Sequence, residues 1–553
     1  MNIKLSNKHN PQENKQLIDS FFDQPVKQTV EETMVLFNEY KHRYPRPNPP
    51  TLRRSWSVSF WLEKMKSFLI GLFMPKEEGN LPRDVEMIVD QQGEVIPDWK
   101  GNLDQQFHHL QNKVRPVHVA EFGAVGDGVM DCTEAFQRAI GKGKAKVIIP
   151  AGTFVVKELR LPSWTWLVGA GKGKTILKLH QDAPKSSWLV TNMDHKKGNH
   201  HVFVEEMSLD WHVERLGETE RTSVGGNRSS CLTYANVTYG WVKNVEAINP
   251  GLHCFDVSST LYNYSGDGYR ARGGSKYIWL DGLNGYGFGD DGITTHHSDY
   301  IMIANSHMCD PSGKAHKKGF SNSNGIEVDD GSRNVILVNN STTRCFGGVE
   351  VKAHHNSSAA TNVHIIGHLS INDNRSFNFR HIGHHHKQDP ESKTAYNITA
   401  SRIVAIAPIR TDLYRDSHPR ALVVSAYKNV VIHQFRVVGD REYDYQGQPV
   451  IAVQYRSRNV SLNYVNIQGF KTAGSDIKIF GGEHRADDVR IRHIYIKNSA
   501  ANGLAVGPSI QRLLIHHMIA IHNNGVCGCD LASSNVDIKN ITVTGYEEVY
   551  TKH

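Results

Sequence analysis

From residue 267 onward the chain repeats one phrase of hydrophobic and polar positions. A Gly or a polar residue leads, apolar and polar residues alternate, and a polar turn closes the phrase. NGIEVDD, GVEVKAHH, SFNFRH, ALVVSAY, VIAVQYR, DIKIFGG and NGLAVGP are successive instances. Period-two alternation predicts short strands with one face turned inward. The first inward apolar residues are Tyr269, Ile293, Ile326, Val349, Phe377, Leu422, Ile451, Ile477 and Leu504, with steps of 24, 33, 23, 28, 45, 29, 26 and 27 residues. A floor of 23 to 24 residues with insertions above it is what stacked coils of short strands produce. The expected fold is all-β: a parallel β-helix, a solenoid. A β-sandwich would not need the same phrase in so many coils.

Residues 1–115 follow a different pattern. LIDSFFDQPVKQTVEETMVLFNEYKHRY and NLDQQFHHLQNKV carry helical periodicity, with a proline-rich break, YPRPNPP, between them. We expect a helical N-terminal attachment or oligomerisation segment over 1–115 and a catalytic β-helix over 116–553. The most apolar stretch, WSVSFWLEKMKSFLIGLFM (Trp56 to Met74), is interrupted by Glu63, Lys64 and Lys66. That argues for an amphipathic helix docked on a partner or on its own domain, not a membrane span. MNIKLSNKHNPQENKQ has no apolar run of the kind a secretory leader needs.

Composition changes this picture little. A chain of 553 residues can bury a large core without disulfides. The seven cysteines are odd in number, scattered and without a CxxC pair, so free thiols are expected. A net charge of +7, spread along the chain, suits an anionic polymer only weakly. No nucleic-acid partner is expected. GAGKGKT (Gly169 to Thr175) lacks the first glycine of a phosphate-binding loop, with Val168 in its place. It reads as a turn between coils.

Candidate chemistry follows from the register. With Ile293, Ile326, Val349 and Phe377 inward, Thr294, Glu327, Glu350 and Asn378 form one outward column. His296, Asp329, Lys352 and Arg380 form a second, and Asp267, Asp291 and Asn324 a third. His297, Asp330 and His355 lie at the turn edge. Neighbouring rungs are about 4.8 Å apart, so four coils would share one patch of acids, imidazoles and cations. Later coils offer Val423, Ser425, Ala452 and Gln454 at the same offsets. A charged patch confined to a few rungs is more like a site than a solvated face. Glu327 and Glu350, one rung apart, should repel, which would raise one pKa and supply a general acid. His354, His355, His381, His384, His385 and His386 would suit a divalent cation as an alternative use of the acids. The HHH at 384–386 reads as a loop, and no metal or cofactor is assigned.

Two stretches carry a resemblance. EFGAVGDGVMDCTEAFQRAI (Glu121 to Ile140), followed by Pro150-Ala151-Gly152, resembles the opening signature of the pectate-lyase-like superfamily of right-handed β-helices. There Asp127 and Asp131 read as structural, with Asp131 or Thr133 capping a short helix over 134–140. The run from Asp267 to Lys352 resembles the active-site region of polygalacturonases, glycoside hydrolase family 28. Gly-Asp-Gly at 266–268, Gly-Asp-Asp at 289–291, Ser-Asn-Gly-Ile at 323–326 and Gly-Val-Glu-Val-Lys at 348–352 stand at that family's active-site coils. The resemblance implies that Asp290 or Asp291 is the general acid, that the other activates water with Asp267, and that Lys352 binds substrate. The coil PGLHCFDVSS could instead occupy the register of Asp267 and offer Asp256. Asn324 stands at the family histidine and Glu350 at the family arginine, which argues against galacturonate as substrate.

The expected catalytic set is therefore Asp267, Asp290, Asp291, Glu327, Asp329 and Glu350. The expected substrate-binding set is His296, His297, Asn324, Lys352, His354 and Arg380. The resemblance implies a polysaccharide-degrading phage or prophage tail spike, usually a homotrimer, acting on a bacterial capsule or teichoic acid. The N-terminal segment would join other tail or baseplate proteins. An extracellular enzyme, a non-catalytic receptor-binding spike, and a lyase or epimerase are the alternatives.

Overall fold

The computed structural model describes residues 3–46, 83–262, 264, 266–533 and 535–553. Its main body is one continuous stack of parallel strands, a parallel β-helix that begins at Arg115–His118. One face carries the short strands of the repeated phrase. Ile293 pairs with Ile326, Ile326 with Val349, Val349 with Phe377, Phe377 with Leu422, Leu422 with Ile451, Ile451 with Ile477 and Ile477 with Leu504. All of these side chains are fully buried in the solenoid core. The alternation seen in the sequence is thus the in-and-out pattern of one sheet.

Each short strand is followed by a longer one, such as Arg333–Thr343, Thr361–Ile371 and Tyr396–Ile406. A left-handed residue opens each of several of these strands: Asn334, Asn362, Asn397, Asn429 and Asn459 all have positive φ. Asparagine tolerates that conformation because its short polar side chain bonds locally. Here the amides also bond to one another, Asn397 to Asn362 at 2.8 Å, Asn429 to Asn397 at 3.0 Å and Asn459 to Asn429 at 2.7 Å. This ladder satisfies amides that would otherwise be buried without partners and pins the register of the stack.

The N-terminal end of the solenoid is closed by the helix Thr133–Ile140, whose Ala135, Phe136, Ala139 and Ile140 are buried. Phe136 meets Phe154 edge-on at 5.8 Å. Asp131 Oδ1 accepts from the Thr133 N–H at 2.9 Å, and Asp127 Oδ1 accepts from Val129 and Met130 N–H, both at 2.9 Å. Both aspartates are therefore turn residues; the helix starts at Thr133 with Cys132 at its N-cap, so neither Asp131 nor Thr133 is the cap expected from the sequence. Gly169–Thr175 joins the strands Thr165–Val168 and Thr175–Leu179. All seven cysteines are free and buried.

The described part of the N-terminal segment lies along the longer-strand side of the solenoid. The helix Val26–Tyr40 packs on the strands Tyr396–Ile406 and Lys428–Val438. Arg402 donates to Asp19 at 2.6 Å, and Asn459 donates to the Tyr40 carbonyl at 3.0 Å. Farther toward the cap, the helix Lys100–Lys113 inserts Phe107 among Trp166, Phe203 and Trp241. The stretch Trp56 to Met74 falls outside the described residues. Among the described residues, no helix is long and apolar enough to cross a membrane.

One marker is corrected. Phe255, not Tyr269, pairs with Ile293. The coil PGLHCFDVSS occupies the register, and residues between the Ser259 and Gly274 bridge leave the solenoid as an excursion. The alternating pattern before Ile293 was ambiguous because both segments place an aspartate beside an apolar residue.

Candidate functional site

The corrected register makes His253, Asp291 and Asn324 the third outward column, and it adds Asp256 to the first. The patch closes into a ring of eight side chains. Asp291 Oδ1 accepts from Asn324 N–H at 2.9 Å and from Asn324 Nδ2 at 3.1 Å. Asn324 Nδ2 also donates to Glu327 Oε2 at 2.6 Å, and Glu327 Oε2 lies 2.7 Å from Lys352 Nζ. Lys352 stands 3.9 Å from Asp329, and Asp329 stands 3.6 Å from His296. His296 is 3.6 Å from Asp256, and Asp256 is 3.5 Å from His253. His253 Nε2 returns to Asp291 at 3.6 Å and to Asp290 at 3.6 Å.

Every ring member is buried, yet the ring floors a cleft of about 510 Å³. Three segments outside the regular coils wall it. Arg221 and Ser223 come from one side. Tyr262 and Tyr264 come from the 259–274 excursion, with Tyr262 edge-on to His296 at 4.7 Å and Tyr264 edge-on to His354 at 5.6 Å. His316 comes from the loop after Cys309, and its Nε2 is 3.0 Å from Asp290 Oδ1. Asp290 is the most open carboxylate, with 16% side-chain exposure against 3% for Asp291.

The electrostatics separate these two neighbours. Burial raises the pKa of Asp291, and the adjacent Asp290 and Glu327 raise it further, so it sits well above the ordinary carboxylate value. Burial acts the same way on Asp290, but His253 and His316 outweigh it and hold that group far below its ordinary value. His253 is raised well above an ordinary imidazole: burial opposes its charge, and Asp256 and Asp290 more than offset that. Asp329 is pushed up to about 7 by burial and by Asp330. His354 is pushed up to about 9, first by its contact with Asp330. Lys352, opposed by burial, is held well above its ordinary value by Glu327, Asp329 and Glu350. A neutral carboxyl beside an ionised one is the arrangement that acid–base catalysis uses.

The expected residues fall into three groups. Asp290, Asp291, Glu327, Asp329, His296, Asn324, Lys352 and His354 meet in or at the cleft. Glu350 is fully buried and paired with Arg380. The expected repulsion with Glu327 therefore does not raise Glu350. Burial pushes its pKa up, and Arg380 and Lys352 bring it below the ordinary value. Asp267 and His297 are not in the cleft. His297 Nδ1 accepts from the Ala271 N–H at 3.1 Å and so pins the excursion. Asp267 lies on that excursion and accepts from Lys393 N–H and the Thr394 hydroxyl. It does not occupy the column inferred from the sequence.

A second cleft, about 420 Å³, continues from the first, sharing Asn322, Lys352 and His354. It is basic and aromatic, lined by Arg375, Arg380, Tyr414 and Tyr455. Among the described residues, the Arg375 side chain has no hydrogen bond and no ion pair, and its Nε is buried. Arg375 stacks in register on Arg420. Sequence reasoning missed His253, His316, Tyr262, Tyr264 and Arg375. His253 and Arg375 were legible as residues two before the inward markers Phe255 and Phe377. The others lie on excursions, where no period applies.

Could these groups hold an ion? His253, Asp290 and Asp291 offer ligand atoms within 4.8 Å of one another, as do His296, Glu327 and Asp329. The aspartates around His253 favour its charged form, and an ion at the first set would have to displace that proton.

A model of the rhamnogalacturonase A/epimerase, pectate lyase-like family matches residues 117–350. The chain is 48% identical to a putative phage-related protein, YobO, of Bacillus subtilis over 83% of this chain and 57% of that protein. It is 39% identical to the pre-neck appendage protein of Bacillus phage phi29 over 78% of this chain and 50% of that protein. It thus spans about half the length of these curated relatives. The crystal structure of the bacteriophage phi29 gene product 12 N-terminal fragment superposes with a TM-score of 0.73 at 36% identity, covering 82% of this chain and 74% of the fragment. The chain belongs to the family of phage appendage proteins built on a pectate-lyase-like parallel β-helix.

Proposed function

We propose that this chain is the polymer-cleaving β-helix of a phage or prophage appendage, a component of the virion tail that hydrolyses a bacterial surface glycan. The observation that carries the reading is the Asp290–Asp291 pair: adjacent in sequence, opened to one cleft, and with pKa values driven in opposite directions. Asp291 would give its proton to the leaving oxygen as the glycosidic C–O bond breaks. Asp290 would take a proton from the water whose oxygen forms the new bond at the sugar carbon. Asp290 then carries a proton and Asp291 carries none, the reverse of the starting state, and proton exchange with solvent restores the pair. The unpaired Arg375 in the adjoining cleft favours an anionic polymer, an acidic capsule or a teichoic acid. A homotrimer joined to other virion proteins through the N-terminal segment completes the proposal.

A second reading has its own support. Lys352, Glu327 and Asp329 satisfy one another within the ring, which suits a cleft that binds glycan without cleaving it. Incubation with purified capsules and teichoic acids separates the readings. New reducing ends without ultraviolet absorbance support hydrolysis. Absorbance from unsaturated sugar supports a lyase, and retention of polymer with neither signal supports a binding spike.

A further inference from the structure

A second cluster of ligating groups lies outside the cleft, where the 259–274 excursion meets the loop after His381. His384 Nδ1 is 2.5 Å from the Pro390 carbonyl oxygen. A carbonyl only accepts, so Nδ1 carries a proton, and in the neutral ring Nε2 is left as a lone pair. That Nε2 is buried, with 3% side-chain exposure, and has no hydrogen-bond partner among the described residues. It faces Asp267 Oδ2 at 4.0 Å, too far for a hydrogen bond. Two electron-rich atoms confronting each other in a dry site are unfavourable unless a cation lies between them.

The rest of the cluster is fixed in place. Asp267 is held by the Lys393 N–H and the Thr394 hydroxyl. The His381 ring lies 4.1 Å from that of His384, and Ser392 Oγ is 2.7 Å from its Nδ1. One ring nitrogen of each histidine and one Asp267 oxygen come within 4.8 Å of one another. His381 Nε2 is 3.2 Å from the His354 carbonyl, a longer hydrogen bond that the ion would replace.

We propose that Asp267, His381 and His384 bind a divalent first-row transition ion, with Zn²⁺ the best match to two imidazoles and a carboxylate. Zinc takes imidazole nitrogen and carboxylate oxygen together, whereas Ca²⁺ and Mg²⁺ prefer all-oxygen sets. The Nδ1–H to Pro390 carbonyl bond is the outer-shell contact that orients a ligating histidine. The ion would staple the excursion to the solenoid at its foot and so hold Tyr262 and Tyr264 over the acidic cleft. It is a positioning device and does not depend on what the cleft does.

The test is metal binding by the full chain after chelation and dialysis. Zn²⁺ titrated calorimetrically should bind at one ion per chain. Co²⁺ should give the visible absorption of a four- or five-coordinate nitrogen–oxygen site. His384→Ala and Asp267→Asn should each weaken binding at least 100-fold, and D290N should leave it unchanged. Far-ultraviolet circular dichroism checks that each variant is folded. Absence of Zn²⁺ and Co²⁺ binding by the native chain would overturn the proposal. Binding that survives both H384A and D267N, or that is lost in D290N, would equally overturn it.

Discussion

Lys352 Nζ lies 2.7 Å from Glu327 Oε2 on the adjacent rung, with both side chains almost wholly out of water. A lysine that binds substrate should offer its ammonium to the cleft. Here it is surrounded by Glu327, Asp329, Glu350 and Asp291, all of which favour its charge. Its first role is to neutralise the ring. K352M leaves buried carboxylates without a counter-charge and should cost about 3–5 kcal/mol. E327Q/K352M should recover much of that loss. Denaturant melts of both variants check this; equal stability of K352M and the native chain would contradict it.

Burial and the adjacent Asp290 and Glu327 favour the neutral form of Asp291, which asparagine imitates in shape and charge. D291N should therefore melt within a few degrees of the native chain while turnover falls by about 10²–10⁴, the usual contribution of a general acid. D290N removes the ionised partner and should cost a similar factor. Release of soluble fragments from a cleaved polymer is the measurement. Native-like turnover in D291N would remove the assignment of the acid.

Arg375 is a half-buried cation whose side chain makes no hydrogen bond among the described residues, in the basic cleft and in register with Arg420. R375A should weaken binding of an anionic polymer by about 10- to 100-fold, the span of about 1.5–3 kcal/mol for a charge-assisted hydrogen bond. It should leave binding of a neutral polymer unchanged. Affinity measured for uronate-containing and phosphodiester-containing polymers also tells which anion the cleft prefers.

Asp476 is buried, and burial pushes it up to about 7 despite donors from Ser499 at 2.6 Å and Ala500 at 3.2 Å. In the unfolded chain it titrates near ~4. Between those values the folded protein holds a proton that the unfolded chain has released. This group's contribution is complete below the lower value and is lost as pH rises toward the upper one, by about 1.4 kcal/mol per pH unit. The stability of the native chain relative to D476N should thus fall from pH 4.5 to pH 7, even though buried neutral histidines such as His364 and His368 pull the overall slope the other way. Melting midpoints across this range are the check; a D476N profile parallel to the native one would refute the assignment.

Much of the fold was legible along the chain. Every inward marker from Ile293 to Leu504 pairs in the register that the alternation implies. The columns Thr294–Glu327–Glu350–Asn378 and Lys352–Arg380 followed from that register. The failure at Tyr269 has a specific cause. The step from Phe255 to Ile293 contains an excursion, and the excursion carries Asp267 beside glycines, as a coil would. That error displaced one aspartate and concealed His253 and Asp256.

The amino-acid sequence by itself determined the solenoid, its cap and the faces of its side chains, because backbone pleating couples neighbouring positions with a period of two. Tertiary structure alone decided which charges meet and which proton states they hold. Contacts between rungs join residues tens of positions apart, and the excursions that wall the cleft obey no period. Whether Asp290 or Asp291 keeps the proton depends on His253 and His316, which reach the pair from a different coil and a different loop. It also depends on burial that no local stretch of chain can specify.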